Sequence, residues 1–89
     1  MAHLSPEELS ELLADAAQAV EVGARYVHFK DPTRQYAVTG LGVAEADESV
    51  AVIYQALYGE RITFVRPLAS FTASVELDGT AVPRFTKVS

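Results

Sequence analysis

The sequence predicts a mainly β domain with one N-terminal α-helix, its strands forming a small antiparallel β-barrel of the SH3-like or a related kind. Three observations carry this expectation. Apolar residues recur at helical spacing only before Gly23, short runs rich in Val, Ile, Tyr, Phe and Thr follow, and turn residues interrupt those runs about every ten positions. The expected division is an amphipathic helix over residues 1–23, packed on a β-barrel over residues 24–89.

Ser5-Pro6-Glu7-Glu8 is a helix start. Ser5 suits the N-cap, Pro6 the first helical position, and Glu8 stands three after the cap, where its carboxylate closes a capping box. Leu9, Leu12, Leu13, Ala16 and Val20 then form a narrow apolar stripe, and Gly23 supplies the left-handed residue on which helices end. The helix is expected from about residue 6 to 21. Its stripe either docks on the barrel or pairs with a second copy.

Five strands are expected next: Arg25 to Lys30, Tyr36 to Ala44, Val50 to Leu57, Arg61 to Val65, and Ala73 to Leu77 with a continuation from Val82 to Thr86. The breaks are Asp31 to Arg34, Glu45 to Ser49, Tyr58 to Glu60, and the tight turn at Asp78-Gly79. Gly40 and Gly42 mark a bulge or bend in the second strand. Pro67 lacks an N–H donor, so Pro67 to Phe71 is expected to form a turn or one turn of 3₁₀ helix. With no second long helix, a barrel fits better than a βαβ arrangement.

Composition bounds the function. The chain has 89 residues, 49% of them hydrophobic and 21% charged, enough apolar surface for one core and too much for disorder throughout. The absence of cysteine excludes a disulfide framework, a thiol nucleophile and thiolate zinc sites, and it fits a cytoplasmic protein. Met1 to Glu8 has no basic flank or apolar run, so neither a signal peptide nor a membrane partner is expected.

The net charge of −5 is unevenly placed. Glu7, Glu8, Glu11, Asp15 and Glu21 precede every Lys and Arg; from Arg25 onward, seven bases meet seven acids. The helix therefore carries the excess, and a neutral β region makes nucleic acid a disfavoured partner.

Strand alternation groups Tyr26, His28 and Lys30 on one face. That face is either a site for an anion, peptide or nucleotide, with Tyr26 stacking and the two others donating, or the solvent face of an ordinary strand. Tyr54 and Tyr58 share a face of the third strand, each suited to a core edge or a binding rim. Arg66 and Arg84 both stand beside a proline and near an aromatic residue. A guanidinium there either grips a carboxylate or phosphate or ties down the carbonyls of an irregular turn.

Catalytic signatures are sparse. The sequence has no phosphate-binding glycine loop, no G-x-S-x-G, no H-E-x-x-H, and His3 and His28 as its only histidines. No catalytic residue, metal site or cofactor is expected. The acidic run Glu45, Asp47 and Glu48 reads as a solvated turn, since it lacks the ligand pattern of a calcium loop.

The segments Gly23 to Lys30, Tyr36-Ala37-Val38, Val52 to Gly59, Phe64 to Phe71 and Asp78 to Phe85 resemble, in this order, a small bacterial domain family of unknown function. Its shared segments are Tyr-x-His-(Tyr/Phe)-Lys, Tyr-x-Ala-Leu-Tyr-Gly, (Trp/Phe)-Val-Arg-Pro-Leu and Val-Pro-Arg-Phe. The resemblance spans about Gly23 to Phe85 and implies a compact β domain without assigned activity. Phe64 stands where tryptophan is common in that family, the Glu45 to Ser49 connection is shorter, and the helix lies outside the resemblance.

The function expected from these readings is a non-catalytic binding module, a monomer or weak homodimer, holding an anionic or aromatic ligand with Tyr26, His28, Lys30, Tyr58, Arg66 and Arg84. A small anion, a peptide or a protein would be its partner. The alternatives are an interaction module acting through the helix and a small enzyme using His28.

Overall fold

The computed structural model of the chain describes residues 3–89; Met1 and Ala2, at the head of the expected helical region, lie outside them. The helix α1 runs from Pro6 to Ala19. At its start the Glu8 N–H donates to Ser5 Oγ (3.2 Å) and the Ser5 N–H to Glu8 Oε1 (2.9 Å), the reciprocal pair of a capping box. Its end departs from expectation. Val20 is already extended (φ −132°, ψ 120°), which buries its side chain completely, and Gly23 (φ +92°) instead shapes the turn into the first strand.

The strands are β1 (Arg25–His28), β2 (Asp31–Ala44), β3 (Ser49–Ala56), β4 (Thr63–Pro67), β5 (Ser74–Leu77), β6 (Thr80–Pro83) and β7 (Phe85–Lys87), with a one-turn helix α2 (Leu68–Phe71) after β4. Asp31 to Arg34, expected as a break, begins β2 instead. Asp31 lies opposite His28 and Gln35 opposite Val27, so residues 32–34 bulge out of register and the missing N–H of Pro32 leaves no ladder bond unmade. The expected turn at Asp78-Gly79 is present, both residues at positive φ (52° and 80°).

The barrel is not formed. Five strands make one open sheet in the order β4-β3-β2-β1-β7, every neighbouring pair antiparallel, while β5 and β6 pair only with each other. Pro67 turns the chain into α2 instead of continuing the edge, and β5 and β6 satisfy one another, so no strand bridges β4 to β7. Helices supply the second wall that a closed barrel would provide: α1 lies against β2 and β3, and α2 against β3 and β4.

The core occupies the inner face of this sheet. Tyr26, Val38, Val52, Tyr54 and Phe85 meet Val20, Ala24 and Phe71 there. A bulge between Val38 and Gly40 makes both Val38 and Leu41 point inward, and it turns the two glycines of β2 toward Ile53 on the other face. Phe71 is the keystone. It stacks on Phe85 (4.1 Å between centroids, 4° between planes) and meets Tyr26 and Tyr54 edge-on.

Candidate functional site

Beyond the helices the aromatic layer continues into a cleft of about 180 Å³, lined by His28, Tyr36, Tyr54, Phe64, Arg66 and Phe85. Cross-strand register assembles it. His28 lies opposite Phe85, Tyr54 opposite Phe64, and Arg66 opposite Val52. Phe64 stacks on Tyr54 at 5.7 Å, and Tyr36 meets Tyr54, Phe64 and Phe85 edge-on.

Arg66 is held in place. Its Nε donates to Tyr54 Oη (3.2 Å), its Nη1 donates to Ser70 Oγ (3.1 Å), and its guanidinium carbon lies 5.4 Å from the centre of the Phe85 ring. A guanidinium carries five N–H donors, so donors remain after these two bonds. Arg84, between β6 and β7, is fixed through its backbone: its N–H donates to the Ala73 carbonyl and its carbonyl accepts from the Phe29 N–H. Its side-chain Nε is buried and has no hydrogen-bond partner.

His28 Nδ1 accepts the Lys30 N–H at 3.2 Å. A neutral ring that accepts at Nδ1 carries its proton on Nε2, so His28 enters the cleft as a donor even when uncharged. Burial holds its pKa below the usual 6.5, and the positive charges of Arg66, Lys30 and Arg84 lower it further. Tyr36 is shifted upward, to about 12, first by burial and then by its hydrogen bond with Tyr58, the two hydroxyl oxygens being 2.6 Å apart.

Of the six residues expected to form a site, His28 and Arg66 line the cleft, while Arg84 and Lys30 act on His28 through charge. Tyr58 stands behind Tyr36 and faces a different depression. Tyr26 is in the core, 7% exposed, its Oη accepting the Glu21 N–H at 3.0 Å. The Tyr26 and His28 face thus points inward, and neither Tyr26 nor the strand behaves as a solvent face. Tyr36, Tyr54, Phe64 and Phe85 complete the walls. Phe64 was accessible to the alternation rule, standing two residues before Arg66 on the same strand, whereas Tyr36 and Phe85 join only through strand order.

The cleft's cations have no carboxylate counterpart. Among the described residues the ion pairs are His3 with Glu48, Arg34 with Asp31, and Lys87 with Glu21, all outside it. The acidic turn has partners of its own: Asp47 accepts from Ser49 within the turn, and Glu48 accepts from the Leu4 N–H ahead of α1. Among the described residues no group of three or more His, Asp or Glu is placed to hold a metal ion, and no helix is long and apolar enough to cross a membrane.

Comparison with known proteins points one way. A crystal structure of a DUF1653 protein from Bordetella bronchiseptica is similar at a TM-score of 0.64 and 28% sequence identity, over 74% of this chain and 85% of that one. A search of curated proteins gives no match. The family described as "Protein of unknown function (DUF1653)" matches residues 24–87, the whole sheet without α1, in keeping with the expected kinship to a small domain family of unknown function. By that match the chain belongs to the DUF1653 family.

Proposed function

We propose that this domain is a non-catalytic binding module that holds a small anion, carried on a flat or apolar body, in the inner-face cleft. One observation carries the reading: His28 and Arg66 line a cleft walled by aromatic rings, Arg84 adds positive charge beside them, and among the described residues no carboxylate answers these groups. A carboxylate or phosphate supplies only acceptors and matches such a lining; a guanidinium fixed by Tyr54 and Ser70 loses little freedom in gripping it. The edge of Phe64 and the ring of Tyr54 offer apolar surface to the body of the ligand.

The alternatives have less support. An enzyme built on His28 needs an acid or nucleophile beside the ring, and the charges acting on His28 are cations. Partner binding through α1 would draw on a stripe whose Ala16 and Val20 are buried in the sheet, leaving Leu12 as its exposed member. Nucleic acid stays disfavoured because the chain carries −5 overall. The setting that goes with this reading is the cytoplasm, where a cysteine-free chain is at home.

Titration with inorganic phosphate, benzoate and phenyl phosphate, followed residue by residue by NMR, tests the proposal. Saturable shifts are expected at His28, Tyr36, Phe64 and Arg66, with phenyl phosphate binding more tightly than phosphate. Silence at these positions for all three anions would sink it.

A further inference from the structure

Tyr58, which props Tyr36 from behind, also lines a larger open depression of about 370 Å³ together with Thr33, Gln35 and three arginines, Arg25, Arg34 and Arg61. In a chain with seven Lys and Arg and a net charge of −5, three of the cations converge here. Like charges gathered in one hollow repel unless an anion lies between them. Asp31 reaches Arg34 at 3.3 Å; among the described residues no carboxylate pairs with Arg25 or Arg61.

One of these side chains, and the backbone that carries another, are set in advance. Arg34 is held between Asp31 and the face of Tyr58, its guanidinium carbon 4.6 Å from the ring centre. Arg61 occupies a left-handed backbone position (φ +55°) that an L side chain adopts only at a cost. Its N–H donates to the Tyr58 carbonyl (3.1 Å), and its own carbonyl accepts from Gln55 Nε2 (3.1 Å), which pins the strained conformation. The same turn has another left-handed position, Gly59 (φ +57°), filled by the residue that bears it freely. A glycine would relieve the turn at position 61 as well, yet an arginine stands there, among the residues that line the depression.

We propose that Arg25, Arg34 and Arg61 form a second anion site, separate from the inner cleft, that takes the phosphate group of a small molecule. Three guanidiniums match a doubly charged, tetrahedral group with acceptors on every side better than a singly charged planar carboxylate. The site shares no residue with the cleft, so it stands or falls independently of that reading.

Inorganic phosphate titrated against matched chloride, with the arginine Nε–H signals and the Tyr58 ring followed by NMR, is the test, run on the native chain and on Arg61→Gly. The native chain is expected to show saturable shifts at Arg25, Arg34, Arg61 and Tyr58 with phosphate and none with chloride. Arg61→Gly should keep or raise the melting temperature while weakening phosphate at this site at least about tenfold. The His28 response should be unchanged by the substitution. Shifts that chloride reproduces, acetate bound as tightly as phosphate, an unchanged affinity in Arg61→Gly, or a marked drop in its melting temperature would each overturn the proposal.

Discussion

Two groups of cations lie on either side of the Tyr36–Tyr58 hydroxyl pair, and their surroundings differ. Arg66 and Arg84 are half-buried, Arg66 held by Tyr54, Ser70 and the Phe85 ring and Arg84 held through its backbone. Arg25, Arg34 and Arg61 stand exposed at the rim of an open hollow. The same side chain therefore meets two media. In the cleft a charge interaction is little screened and comes with apolar contact, whereas at the rim it is weakened by salt over a Debye length of about 8–10 Å. Raising salt should accordingly release an anion from the rim before it releases one from the cleft.

The largest effect expected on this contrast comes from removing what the cleft is built on. Phe71→Ala deletes a side chain 2% exposed that touches Tyr26, Tyr54 and Phe85, and it should cost about 3–5 kcal/mol, a large part of the 5–15 kcal/mol typical of a domain. Denaturant unfolding measures it. A loss under about 1 kcal/mol would mean that the aromatic layer is not the core.

Arg66→Ala comes next and separates the two sites. It should weaken anions in the cleft by roughly ten- to a hundredfold, the equivalent of the ~1.5–3 kcal/mol of a charged hydrogen bond, and leave the rim unaffected. Arg66→Lys should recover little, because an ammonium does not reproduce the planar bonds to Tyr54 and Ser70. Equal binding in both variants and the native chain, read by calorimetry, would remove Arg66 from the site.

The pH dependence has a definite sign. His28 has a folded pKa below 6.5, so the unfolded chain takes up the proton first, and stability should fall as pH drops through 6.5 and level off below the folded value. The lowered carboxyl pKa values of Glu8, Asp31 and Asp47 act in a separate window, below about 4.5. At the alkaline end, Tyr36 with its pKa near 12 should remove stability as pH rises above 10, where the unfolded tyrosine ionises first. Tyr58→Phe should bring the Tyr36 pKa down, visible in a tyrosinate absorbance titration.

Ser5→Ala is expected to have the smallest effect. Losing the N-cap bond should cost about 1 kcal/mol and leave both anion sites unchanged. A change in cleft affinity would instead tie α1 to binding.

The helix was legible in the sequence because its signals are local: a capping box and a stripe of spacing 3–4 need no knowledge of the rest of the chain. The strand runs were legible for the same reason. What they enclose was not. Closure depends on whether β4 meets β7, and that turns on Pro67 and on β5 and β6 choosing each other, a long-range matter. The site shows the same divide. His28 and Arg66 can be singled out by residue type, but alternation gives two faces without saying which is inside, so it groups Tyr26 with the ligand-binding residues although Tyr26 is core. Tyr36 and Phe85 became wall residues only when β2 and β7 came to flank β1.

The most direct test of the cleft is the titration of the His28 imidazole, followed by NMR with and without phenyl phosphate. The free protein should titrate below 6.5, and saturating anion should move the midpoint upward, because burial and then nearby positive charges hold it down and an anion at Arg66 offsets those charges. A midpoint that stays where it is when the anion is added would contradict the assignment of this cleft as the binding site.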